Sequence, residues 1–119
     1  MPGLVTGNSQ QVGGGANANS LITADGAISP TLAQTYVITK AGVAAMTLAA
    51  PTAGVDDYKV IVVTSATANA HTITATNLLN TGAAANDVAT FANVAGASVT
   101  LMAYNALWNV ISSNQITFS

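Results

Sequence analysis

His71 is the one histidine in the chain, and cysteine is absent. A histidine activates a nucleophile when a hydroxyl and an orienting carboxylate stand beside it. It joins a zinc site only with two or three further ligands. Here the serines and aspartates fall in turn-like stretches with no nucleophile elbow, and there is no thiol or second histidine to complete a metal set. Asp56 and Asp57 are the one adjacent acidic pair. Neighbours in an extended chain point to opposite sides, so the pair does not converge on a substrate. A calcium loop would need more oxygen ligands at fixed spacing. Tyr36, Tyr58, Tyr104 and Trp108 could form a stacking platform for a sugar, but aromatic residues in a small β domain more often fill the core or a subunit contact. Gly13-Gly14-Gly15 is followed by no Gly-Lys-Ser/Thr, so it is not a phosphate loop. The chain therefore reads as a non-enzyme with no catalytic, cofactor or metal site. Tyr36, His71, Tyr104 and Trp108 are assigned to the core or a subunit interface, with His71 packed beside Ile73 and hydrogen-bonded through a ring nitrogen.

Charge narrows the functional classes further. Only 5% of the residues are charged and the formal net charge is -2, against about 25% charged in an ordinary soluble domain. The charged side chains are Asp25, Lys40, Asp56, Asp57, Lys59 and Asp87. Two lysines do not supply the cations that displace counterions from nucleic acid, so none is expected as a partner. The same shortage argues against anionic membranes. The most apolar window, residues 41–54, is short and broken by Pro51, well below the ~18 residues that span a bilayer. No basic segment followed by an apolar core opens the chain, so no signal peptide is expected. A polar surface built from Thr, Ser and Asn repels copies of itself weakly. Much of that surface is expected to be covered by copies of the chain or by a larger assembly.

The elements around these residues read as strands. Residues 1–20 are rich in Gly, Asn, Gln and Ser, with Leu4, Val5 and Val12 as the sizeable apolar positions after Met1. They are expected to form an extended N-terminal arm, and residues 21–119 a β domain. The central expectation is a hairpin over residues 58–76. Val60 to Val63 form an unbroken β-branched run, which predicts a strand covered on both faces. In the return strand His71, Ile73 and Ala75 share one side, and Thr72, Thr74 and Thr76 the other. A hairpin is also expected over residues 34–49, with Gly42 at a left-handed turn position. Another is expected over residues 97–112: a two-residue turn at Asn105-Ala106 sets Ala103 opposite Trp108 and Leu101 opposite Val110, and, because Asn-Ala is a weaker turn than Asn-Gly, a four-residue loop is the alternative. Residues 88–92 and 115–118 read as short strands. About eight strands and no amphipathic helix predict an all-β fold: an antiparallel β-sandwich or jelly-roll-like domain.

Four stretches carry a resemblance: ADGAISP (24–30), TYVITKAGVAAMTLAAPTAG (35–54), AHTITA (70–75) and GASVTLMAYNALWNV (96–110). With these the chain resembles the head decoration, or cement, proteins of tailed bacteriophages, over residues 21–119. The resemblance implies a homotrimer bound to the outside of an icosahedral capsid, at threefold or pseudo-threefold positions. It implies the major capsid protein as partner, touched by the N-terminal arm through Leu4, Val5 and Val12. It implies assembly in the host bacterial cytoplasm and residence on the virion. It brings no catalytic residue. Similar segments occur in phage fibre and tail proteins, so a module that binds a receptor or glycan is the alternative.

Overall fold

A computed structural model describes residues 21–82 and 85–119. The expected arm, with Leu4, Val5 and Val12, lies outside the described residues. Ten strands follow one another along the chain: β1 (Leu21–Ile22), β2 (Gly26–Ile28), β3 (Gln34–Ile38), β4 (Ala45–Leu48), β5 (Val60–Ser65), β6 (Thr72–Asn80), β7 (Asn86–Phe91), β8 (Ser98–Tyr104), β9 (Leu107–Asn114) and β10 (Ile116–Phe118). No helix occurs among the described residues. The fold is all-β, and the sheet curls on itself so that its two halves face each other as a sandwich does. One half holds β1, β3, β5, β8 and β9, and the other holds β2, β4, β6, β7 and β10.

The pairing direction departs from the antiparallel expectation in the first part of the chain. There β1, β3 and β5 stack in parallel, and so do β2, β4 and β6. The chain winds: each pass lays one strand in each half and the next pass lies on top of it. Gln34 pairs with Ile61 and Thr47 with Thr74, the same sequence offset at both ends of the pass. From β7 onward the chain reverses, and β7, β8 and β10 pair antiparallel.

Two expected hairpins are therefore not hairpins. Residues 58–76 supply β5 and β6, which lie in opposite halves, and residues 34–49 supply β3 and β4, which do likewise. Their short connections are corners of the winding. Corner stacks on corner through backbone bonds: Thr39 N–H donates to Ile22 O at 2.9 Å, Ala66 N–H to Ile38 O at 2.9 Å and Gly96 N–H to Ser65 O at 2.7 Å. Gly42 is not among the residues with positive φ, so its place in the corner does not rest on a left-handed conformation.

The strands bury one face each. In β5, Ile61 and Val63 are fully buried while Val60 is exposed and Val62 half-buried. The cover expected on both sides of this run is thus absent within one chain. A β-branched run fits any strand, because the preference is for the pleated backbone and not for burial. The return strand alternates as its sequence implies: His71, Ile73 and Ala75 are buried and the threonines between them face outward. One core joins the two halves, with Ile38, Ile61, Val63, Val99 and Leu101 from one and Met46, Leu48, Ile73, Ala89 and Phe91 from the other.

The late hairpin matches its expectation residue by residue. Leu101 pairs with Val110 and Ala103 with Trp108, around Asn105 and Ala106 at φ 53 and 62. Positive φ at both central residues is the turn that suits the twist of a two-residue hairpin. Alanine tolerates this conformation poorly. Ala106→Gly is therefore expected to raise stability by about 0.5–1 kcal/mol, measured as a higher urea midpoint with an unchanged slope.

Strand β6 carries an irregularity that closes the sheet. Its register with β7 shifts between Thr74 and Leu79. Asn77, at φ 58, sits in this bulge, and its N–H donates to the Asp87 carboxylate at 2.8 Å. Beyond it, Leu79 and Asn80 pair in parallel with Trp108 and Asn109 of β9. A bulge bends a strand and re-aims its side chains. Here it carries β6 from one half of the sheet to the other and turns Leu79 fully into the core.

Candidate functional site

His71 sits at the corner of the third pass, fully buried. Its Nδ1 accepts the Ala44 N–H at 2.9 Å, so that nitrogen carries no proton. The proton is then on Nε2, which donates to Thr67 Oγ1 at 3.0 Å, with Thr67 O at 3.3 Å. Thr67 Oγ1 in turn donates to Lys40 O at 2.9 Å. The neutral ring thus ties the third corner to the second, and Phe91 packs edge-on at a centroid distance of 6.1 Å. With Nε2–H donating to the Thr67 hydroxyl and Nδ1 taken by the Ala44 amide, the ring in this arrangement ties the two corners together.

Tyr36 is buried at 7% exposure and Trp108 completely. Trp108 Nε1–H donates to Ala49 O at 2.9 Å, which joins β9 to the segment after β4. Tyr104 stands apart from these two. It is 48% exposed and faces Tyr58, itself 70% exposed, at a ring separation of 5.8 Å. The structure brings no two of Tyr36, His71, Tyr104 and Trp108 together as an aromatic pair. Tyr104 pairs instead with Tyr58, whose left-handed backbone (φ 74) could not be read from its neighbours.

The acidic residues brace turns. Asp56 is 2% exposed. Its carboxylate accepts the Thr52 N–H at 2.8 Å and the Lys59 ammonium at 2.9 Å. Asp57 accepts from Gly54 N–H at 3.1 Å and Asn105 N–H at 3.0 Å, so the two carboxylates engage different partners. Asp25 accepts from Lys40 at 2.8 Å and from Ala45 N–H at 2.9 Å, across the first and second corners. No group of three or more metal-binding side chains occurs among the described residues. A cavity of about 230 Å³ opens at the first corner, lined by Leu21, Ile22, Asp25, Ile28, Tyr36 and Met46. Its one acid is already paired, so it holds no acid–base couple.

These carboxylates give the fold a defined acid limit. The Thr52 amide, then Lys59, holds the Asp56 pKa below its ordinary value. Lys40, then the Ala45 amide, does the same for Asp25. A carboxylate with a lowered folded pKa stabilises fully above the unfolded value of about 3.9, and that stabilisation is lost as pH falls through the folded value. The thermal midpoint is expected to stay flat from neutral pH to about 5 and to fall below about 4. Asp56→Asn should lower the neutral midpoint and flatten the acid limb. Parallel curves for the two proteins would show that Asp56 contributes nothing to it.

Apart from Asp87, what remains exposed on the strands is neutral. One outward column runs Ala45, Thr72, Thr90, Thr117 across β4, β6, β7 and β10. Another runs Thr35, Val62, Thr100, Ser112 across β3, β5, β8 and β9. A third runs Val37, Thr64, Ser98, Asn114 across the same strands. Five of the charged residues fall in the connections, and Asp87, near the start of β7, is engaged by Asn77. No helix among the described residues is long and apolar enough to cross a membrane. Comparison with protein-family models, with curated proteins and with solved structures returned no match.

Proposed function

We propose that the chain is a structural virion protein that binds the outside of a bacteriophage capsid as a homotrimer and stabilises its lattice. The observation that carries this reading is the outward surface of the two sheet halves, where cross-strand columns of Thr, Ser, Ala, Val and Asn side chains carry no charge. Such faces associate through apolar contact and neutral hydrogen bonds, which salt screens little compared with ion pairs. Repetition on a lattice multiplies modest contacts through effective concentration. The winding of stacked passes supports the same role, because every strand from β3 to β9 is held on both sides by backbone bonds, leaving β1, β2 and β10 as edges, and the corners are laced to one another. The resemblance of residues 21–119 to head decoration proteins points the same way, and the major capsid protein is the partner it implies.

The test uses the full chain and a form lacking residues 1–20, each mixed with the particles assembled alongside it in its native host. Full-length protein is expected to sediment with the particles and to have the mass of a trimer in light scattering. The truncated form should keep its β circular dichroism and thermal midpoint but lose particle binding. Undiminished binding by the truncated form would remove the arm from the account. A monomer that ignores the particles would refute the function.

A further inference from the structure

We propose that Tyr58 and Tyr104 form a stacking site for a neutral saccharide, independent of any contact with a capsid. The two rings lie 5.8 Å apart with their planes inclined by 35°. Both are open to solvent, Tyr58 at 70% and Tyr104 at 48% exposure. Single exposed apolar residues are ordinary, but two aromatic rings held together at a loop tip are a recognisable binding feature.

The backbone beneath them is strained and locked. Tyr58 has φ 74, in the left-handed region that a bulky side chain disfavours. Burial does not offset that cost, because the ring is exposed. Strain of this kind persists only where surrounding contacts impose it, and it concentrates at functional sites. Here those contacts are explicit. Tyr58 N–H donates to Ala103 O at 2.6 Å, and Asp57 bridges Asn105 N–H and Gly54 N–H. The loop bearing Tyr58 and the turn after Tyr104 are therefore laced together, and the backbones that carry the two rings are held side by side before a ligand arrives. Preorganisation of that sort lowers the entropic cost of binding.

The surroundings select the ligand class. Lys59 is occupied by Asp56 and by Thr31 O, and Lys40 by Asp25 and Val43 O. Among the described residues no free cation is available for a phosphate or an acidic sugar. Asp57 accepts one backbone amide on each carboxylate oxygen and is thereby committed to bracing the two loops. A nucleobase would stack, but its phosphates would go uncompensated. Two partly exposed rings of about 150–250 Å² each fall short of the roughly 800 Å² per partner of a stable protein interface. What fits is a small neutral molecule with one apolar ring face and a hydroxyl rim: a pyranose stacked on the tyrosines, with its hydroxyls reaching the phenols and the neighbouring Asn105 side chain.

The full chain would be applied to an array of neutral plant, bacterial and animal oligosaccharides, and the best-bound of them titrated by NMR. Saturable shifts confined to Tyr58, Tyr104 and Asn105 are expected, with affinity reduced at least roughly tenfold by Tyr104→Ala and by Tyr58→Gly. Tyr58→Gly separates function from folding. Glycine accepts the left-handed backbone, so its thermal midpoint should equal or exceed that of the parent while saccharide binding is lost. A blank array would overturn the proposal. So would a fall in the Tyr58→Gly midpoint, which would make Tyr58 a structural residue. Shifts at the same amides on raising protein concentration without sugar would assign the rings to a contact between copies, and would overturn it as well. None of these outcomes bears on particle binding, so the two readings fail separately.

Discussion

Trp108→Ala is expected to destabilise the fold by about 3–5 kcal/mol, the largest effect of any single substitution in this chain. The indole is fully buried and lies where three parts of the sheet meet. It pairs with Ala103 across the late hairpin and with Leu79 beyond the β6 bulge, and it donates to Ala49 O. Truncation would open a cavity and leave that carbonyl without its donor. In a domain of this size each kcal/mol moves the thermal midpoint by about 4–8 °C, so the variant's midpoint should fall by about 12–40 °C. Trp108→Phe separates the two contributions. It keeps most of the volume and removes the donor, and should cost about 1–2 kcal/mol. Urea unfolding of the three proteins checks the ordering. Equal midpoints for Trp108→Phe and Trp108→Ala would mean that the hydrogen bond, and not packing, dominates.

His71→Leu should cost about 2–4 kcal/mol, although leucine matches much of the lost volume. The reason is polar. The Ala44 N–H donates to the ring and the Thr67 hydroxyl oxygen accepts from it, and in the variant the amide stays buried without an acceptor. Thr67→Val should cost less, because it removes an acceptor for Nε2–H and a donor to Lys40 O but leaves the Ala44 bond in place. The double variant should be more stable than the sum of the two predicts, with a coupling of about 0.5–3 kcal/mol, since the side chains act as one unit. Strict additivity in denaturant unfolding would contradict the linked corner described here.

The local parts of the fold were legible in the sequence. The late hairpin was legible with Asn105-Ala106 as one of two turn readings, and the two-residue turn is the one that sets Ala103 against Trp108. The alternation of His71, Ile73 and Ala75 with threonines assigned the buried side of β6 correctly. Pairing partners were not legible. Lys40-Ala41-Gly42 and Thr67 to Ala70 have the short, small residues of hairpin turns, and a corner of a winding needs the same residues. The signal that tells them apart is a constant offset between residues 34–47 and 61–74, and it is faint. Between residues 35–48 and 62–75 only Ala41 with Ala68 and Thr47 with Thr74 are identical at that offset. The aromatic residues divided for a similar reason. Tyr36 and Trp108 sit at inward positions of regular strands, whereas Tyr58 owes its exposure to a left-handed backbone that three hydrogen-bonded loop residues impose.

Tyr58 and His71 mark two opposite uses of a non-apolar side chain in a domain so poor in charge. One is sealed at a corner and holds successive passes together. The other stands on strained backbone at the open end of the sheet. The neutral columns between them are where the account places the contact with other copies and with a shell.

The most direct measurement is an electron cryomicroscopy difference map between particles saturated with labelled full-length protein and bare particles. The account predicts added density on the outer surface of the capsid, repeated at threefold or pseudo-threefold positions, with three copies in each. Absence of added density at saturating protein, with the labelled chain left free in solution, would contradict it.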